Sequence, residues 1–210
     1  MKTNIFLLLF LGITLQAVGQ TQAETYIKEA QGFLAQKDYK QAQLSLQDAI
    51  NDLNNLIGVQ IYESLPNEIN GLTSIPGEGS NGGATNIMGL GMTISKSYRN
   101  ESKNGNEADV QIITSSPMLS AMNMYLSNPG MMGQEYKSIR IGTQRAIMKS
   151  EMQDNYDDNG GNKQIRSSEL QIPFSQTLIT INLRGFASEA EEIAFATKLD
   201  LAKLKMALGE

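Results

Sequence analysis

The 210-residue chain has no cysteine and no histidine. Without cysteine there is no disulfide framework, no thiolate nucleophile and no thiol to carry an anchoring lipid. Without histidine there is no Ser-His-Asp triad, no Cys-His pair, and within one chain no zinc site of the usual nitrogen and sulfur kind. No Ser-x-x-Lys motif occurs, and no Walker loop or G-x-G-x-x-G lies between a strand and a helix. Charge of one sign is not concentrated either: 17 basic and 22 acidic residues give a net −5, dispersed along the chain. Such a balance lacks the basic patch that holds nucleic acid or anionic lipid.

What is present begins with MKTNIFLLLFLGITLQAVGQ. Lys2 precedes an apolar run from Ile5 to Leu15, and Ala17 and Gly19 supply the small residues of a cut before Gln20. A basic start, a short apolar stretch and a small-residue exit predict a secretory signal over residues 1–19. A second cut, after Ala23, is the alternative. The run is about half the roughly 20 residues needed to cross a bilayer, and no later segment is apolar enough. The expected mature chain has no transmembrane segment and is periplasmic or secreted. Removing Lys2 leaves 16 basic against 22 acidic residues, or −6.

Helical spacing predicts a first helix over residues 24–36. Asp38 is placed to cap a second, from Tyr39 to about Ser64, with Gln41 as its capping-box partner and Pro66 as its stop. Ala42, Leu46, Ala49, Ile50, Leu53, Ile57 and Ile61 form its apolar stripe. A short strand is expected at 68–73, then a glycine-rich loop to 86. Period-two alternation follows, with Met88, Leu90, Met92 and Ile94 on one face, a turn at 102–107, and Val110 and Ile112 inward on the return strand. Ser116 and Pro117 should open a helix ending before Asn128. Strands are expected at 137–141, 144–152, 163–172 and 177–183. Ser188 should cap a final helix reaching Leu208, with Glu191 completing its box. At a steady 100° per residue that helix carries two opposed stripes. One holds Phe195, Leu199, Ala202 and Met206, and the other Ile193, Leu201, Leu204 and Leu208. The Leu46–Ile50–Leu53–Ile57 stripe is the expected cover for one of them.

KDYKQAQLSLQDAI (37–50) resembles the second helix of a tetratricopeptide repeat, through Asp38, Tyr39, Ala42, Leu46, Ala49 and Ile50. Lys37 stands where that family often has glycine, and no second repeat follows. The resemblance therefore implies one packed helical hairpin, since a concave binding surface needs stacked repeats. From LPNEING (65–71) through SSPM (115–118) to the end, the chain is similar to exported bacterial proteins of unassigned function. Leu72 stands where those carry an aromatic residue. The layout more loosely resembles the PsbP-like sheet domains, which implies an accessory role without catalysis.

Two stretches could hold metal. In DNYDDNGGN (154–162), an EF-hand reading starting at Asn155 puts Arg166 where the bidentate glutamate belongs. The glycines are explained by a turn instead. The second stretch, MLSAMNMYLSNPGMM (118–132), holds five of the eleven methionines. Thioethers suit copper(I), adaptable apolar grooves or irregular core packing. Met118, Leu119, Met122 and Leu126 fall toward one helical side, interleaved with leucine, which points first to core. The groove reading names Met118, Met122, Tyr125, Met131 and Met132 as ligand-lining residues.

These readings predict an α+β fold, in which a helical hairpin (20–65) precedes an antiparallel sheet packed against helices (66–210). The expected function is a non-enzymatic envelope accessory or binding protein. Its partner would be an envelope protein or a small apolar ligand, with no cofactor and no nucleic acid. The alternatives are a small-molecule or lipid-binding module built on the Met-rich helix, and a hydrolase with a carboxylate site. Nothing in the chain indicates an oligomeric state.

Overall fold

The structure, a computed structural model, describes residues 21–75, 91–100, 105–131, 133–156 and 162–210. The expected signal segment, residues 76–90 with Met88 and Leu90, residues 101–104, Met132 and residues 157–161 lie outside the described residues. The chain divides into two compact units, one ending at Ile50 and the other beginning at Asn51.

The first unit contains α1 (Gln22–Ala35) and the start of α2 (Tyr39–Ser64). The Thr21 hydroxyl accepts from the Glu24 amide at 3.3 Å, and the Asp38 carboxylate accepts from the Gln41 amide at 3.1 Å, so both helix starts are capped. Helix α1 closes in a Schellman turn. Lys37 is left-handed at φ 62°, its amide donates to Leu34 O, and the Asp38 amide donates to Phe33 O at 2.9 Å. The position where the tetratricopeptide family uses glycine is thus a left-handed one, here occupied by lysine.

The buried residues of this hairpin are small: Ala23, Ala30, Ala42, Ser45 and Ala49. The large apolar residues behave otherwise. Leu46, Ile50, Leu53 and Ile57 are 43, 49, 44 and 39% exposed, so the expectation that this stripe is packed is corrected.

The second unit is an eight-stranded antiparallel sheet with helices, as the α+β expectation has it. Its strands are β1 (Glu68–Ile69), β2 (Leu72–Ser74), β3 (Thr93–Arg99), β4 (Glu107–Thr114), β5 (Tyr136–Ile141), β6 (Gln144–Tyr156), β7 (Asn162–Pro173) and β8 (Thr177–Arg184). Their spatial order is β1-β2-β3-β4-β8-β7-β6-β5. Two four-strand meanders therefore meet where β8 pairs with β4. The strand expected at 68–73 is instead a tight hairpin. Asn70 and Gly71 take φ 50° and 80°, the left-handed pair that a two-residue Asn-Gly turn requires.

Period two sorts the strands onto two faces. On one face Ile94, Ile112, Ile179 and Ile172 form a register row, followed by Lys96, Val110, Ile181, Leu170 and Met148. Against this face pack Ile61 and Leu65, from α2 and its end, with Phe195, Ala196, Leu199 and Leu204. Phe195 makes edge-to-face contacts with Tyr98 and Phe186 at 5.6 and 5.9 Å. Because Ile61 and Leu65 belong to this core, the compact division falls inside α2 rather than after residue 65.

The expected continuous C-terminal helix is corrected to two: α4 (Glu189–Thr197) and α5 (Leu201–Ala207). Lys198 and Leu199 make tighter bonds to Phe195 O and Ala196 O, and Asp200 turns left-handed at φ 48° before capping α5. The break resets the helical phase. Phe195, Leu199 and Leu204 are buried in one core, with Ile193, Leu201 and Leu208 packed against it, while Met206 is 74% exposed. The two opposed stripes do not exist. At the start of α4, Ser188 accepts from the Glu191 amide, and the Glu191 carboxylate accepts from the Ala187 amide. Among the described residues no helix is long and apolar enough to cross a membrane.

Candidate functional site

The opposite face of the sheet is mostly polar. Its rows contain Ser95, Gln111, Thr180 and Gln171, then Ser97, Asp109, Asn182, Glu169 and Lys149. One end of it is covered by α3 (Leu119–Ser127). The helix starts later than its sequence suggests. Met118 occupies the cap position without a side-chain bond, and Ser116 accepts from the Met118 amide in a short turn. Ser115 is left-handed at φ 53°, so the chain is still turning out of β4 where proline was expected to open the helix. Close packing fixes the approach to this turn. Gly91 sits at φ 93°, and a Cβ there would lie 1.8 Å from Thr114 O.

Met122, Leu126, Ile147 and Leu178 form a second buried cluster, with Leu119 and Tyr125 packed on it. The Arg145 guanidinium donates to Leu126 O, tying the C-terminal end of α3 to β6. The core reading of the methionine stretch therefore holds for part of it: Met122 is 5% exposed. It does not hold for Met118 and Met131, at 48 and 60%.

These methionines meet at a cavity of about 280 Å³ between α3 and the sheet. Met118, Ala121, Met122 and Tyr125 line it from one helical face, at i, i+3, i+4 and i+7. Met131, from the short 3₁₀ turn Pro129–Met131, and Gly133 lie on a second side. Tyr136 of β5, Ile147 of β6 and Gln171 of β7 complete the lining. Ile147 and Gln171 are direct cross-strand partners. Four of the five expected lining residues are thus brought together, and the fifth, Met132, lies outside the described residues.

Ala121, Gly133, Tyr136, Ile147 and Gln171 were not singled out from sequence. One signal was available for Ile147. Ala146, Ile147 and Met148 are three apolar residues in succession, and all are buried, as a strand covered on both faces requires.

The lining can do two things chemically. Three thioethers, two phenol rings and Ile147 offer soft, polarisable contact. The polar contribution is narrow. Gln171 Nε2 donates to a Glu169 carboxylate oxygen, which can only accept. That bond orients the amide and leaves Gln171 Oε1 buried without a hydrogen-bond partner.

A larger cleft of about 730 Å³ lies at the far ends of the strands, lined among others by Glu107, Lys163, Arg166 and Arg184. Both of its arginines are engaged within the protein. Arg166 Nε lies 2.9 Å from Glu192 Oε2, and Arg184 donates to Asn155. Arg166, whose charge spoke against an EF-hand, serves to fasten α4: Glu192 is fully buried, and Ser150 accepts from Arg166 as well.

No family model matches the chain, and no curated protein matches it. A crystal structure of a protein from Bacteroides thetaiotaomicron is similar over part of it, at 12% identity and a TM-score of 0.38. The match covers 49% of this chain and 37% of that one, so the chain spans little more than a third of that protein's length. A likeness this partial carries no argument about function.

Proposed function

We propose that the protein is an exported, non-enzymatic binding protein that holds a small apolar molecule against the methionine face of α3. The convergence of Met118, Met122, Tyr125 and Met131 on one concave surface carries the reading. Ligand sites are concave, mostly apolar and fitted with few polar groups, and this cavity lies just below their usual size of roughly 300–1,000 Å³. The ligand is therefore small. Methionine suits the role because its unbranched side chain adapts to irregular shapes. The lining residues include neither carboxylate nor amine, which favours retention of a ligand over its conversion. Export rests on the N-terminal segment, and an envelope accessory role follows from export plus binding.

The test is fluorescence titration of the purified protein with N-phenyl-1-naphthylamine. Saturable binding is expected. Ala121→Phe puts a ring into the cavity from the helix surface and should weaken binding at least about tenfold. Leu53→Ser, on exposed α2, should leave it unchanged. Absence of saturable binding, or equal binding by the Ala121→Phe protein, overturns the proposal.

A further inference from the structure

We infer that Met118 and Met131 are oxidation sites that switch the α3 cavity: a peroxide converts their thioethers to sulfoxides, and the cavity then releases its apolar ligand while the fold persists. This rests on the cavity being a ligand site and adds the chemistry that regulates it.

The chain has no cysteine, histidine or tryptophan. Methionine is therefore the side chain left to react with a peroxide by two-electron transfer. Reactivity then follows exposure. Met118 and Met131 are 48 and 60% exposed, whereas Met122, which lines the same cavity, is 5% exposed. Met92 and Met148, in the main core, are buried as well. A peroxide thus meets the two outer thioethers of the cavity and is kept from the inner one and from the core. In the step, a sulfur lone pair attacks one peroxide oxygen, an S–O bond forms and the O–O bond breaks. The proton on the transferred oxygen passes to the departing hydroxide, which leaves as water; sulfur is oxidised by two electrons and the peroxide reduced by two. A polar sulfoxide oxygen then stands where the lining offered soft apolar contact. An apolar ligand docking against it strips that oxygen of water and supplies no donor in return. Met118 belongs to the α3 side of the cavity and Met131 to the Pro129–Met131 turn, so two sides change together. Methionine sulfoxide reductases reverse the step.

The test treats the protein with hydrogen peroxide and then catalase. Peptide mass spectrometry assigns sulfoxide to each methionine, and titration with N-phenyl-1-naphthylamine reads the affinity. Met118 and Met131 should oxidise before Met122, and affinity should fall about 5- to 150-fold, the range that an unpaired buried polar group implies. Circular dichroism should stay unchanged, and the two methionine sulfoxide reductases, one for each sulfoxide epimer, should restore binding. Met124, Met152 and Met206 are also exposed but line no part of this cavity. The Met124→Leu/Met152→Leu/Met206→Leu protein should bind as wild type does before treatment and lose affinity equally after it. If affinity survives sulfoxide at both Met118 and Met131, or is lost by wild type and kept by the triple variant, the inference is overturned while the cavity stands as a binding site. Oxidation of Met122 in step with Met118, with loss of the fold, overturns it as well. If the untreated protein binds no probe, the binding reading falls and this inference falls with it. Should the triple variant fold poorly, a timed oxidation of wild type decides. Loss of affinity that follows Met124, Met152 or Met206 rather than Met118 and Met131 overturns the inference.

Discussion

Replacing Lys96 by methionine probes how the helices are fastened to the sheet. Lys96 is 1% exposed, an unusual place for an amine with no ion pair among the described residues. Its Nζ donates to Leu65 O and to Asn67 Oδ1, both at 2.9 Å, and sits 4.6 Å from the centre of the Tyr62 ring. The Tyr98 hydroxyl donates to Pro66 O at 2.9 Å. Two side chains of β3 thus satisfy carbonyls left open where α2 ends. Methionine keeps the stem and removes the nitrogen. Asn67 is exposed and turns to water; Leu65 O is left without its donor, at about 1–3 kcal/mol. Loss of the ring contact adds roughly 0.5–2 kcal/mol. Relief of the buried charge opposes both.

The balance shifts with pH. Burial holds the Lys96 pKa below the ordinary lysine value. Between the folded and unfolded pKa values the unfolded chain binds more protons, so wild-type stability rises with pH there. A neutral amine still donates both hydrogen bonds. The deficit of Lys96→Met should therefore be larger at pH 10 than at pH 7, and reach about 1–3 kcal/mol. At roughly 2–4 °C per kcal/mol this is a melting-point difference of about 2–12 °C, readable by circular dichroism. Lys96→Ala, which also empties the space of the stem, should be worse at both pH values. A Lys96→Met protein as stable as wild type at pH 10, or a deficit that does not grow with pH, refutes this account.

Arg166→Met should cost about 3–5 kcal/mol by urea denaturation, because it leaves the fully buried Glu192 carboxylate without its partner, and Glu192→Gln in the same chain should recover much of that. Lys37→Gly should stabilise by up to about 1 kcal/mol, since the left-handed turn after α1 strains a side chain but not glycine; Asp200→Ala, at the other left-handed junction, should destabilise by about 0.5–2 kcal/mol through loss of its cap. Met122→Ala should cost about 2–5 kcal/mol, whereas Met118→Ala should change stability by less than about 0.5 kcal/mol and act on probe binding instead. Comparable losses from both methionines in thermal melts would contradict the division of the stretch into core and groove.

The sequence by itself determined the elements that depend on near neighbours. Capping by Asp38 and Ser188, the extent of α2, and the alternation that turns Val110 and Ile112 inward follow from bonds and periodicities within a few residues. The α+β class follows from their order. The methionines of 118–132 could be read as core or groove; Met122 is buried, while Met118 and Met131 are exposed beside a cavity. Only tertiary structure decided which part was which. Leu46, Ile50, Leu53 and Ile57 keep a helical period, yet small alanines are what the hairpin buries. The C-terminal stripes failed because three residues, Lys198 to Asp200, break the helix and reset its phase. Gln171 carried no signal in sequence. Its place in the cavity lining depends on Ile147 lying beside it on β6 and α3 packing above, and neither relation is local in the chain. Periodicity reports which side of an element is apolar; what that side meets is fixed by partners distant in sequence, and so are the cavities left between them.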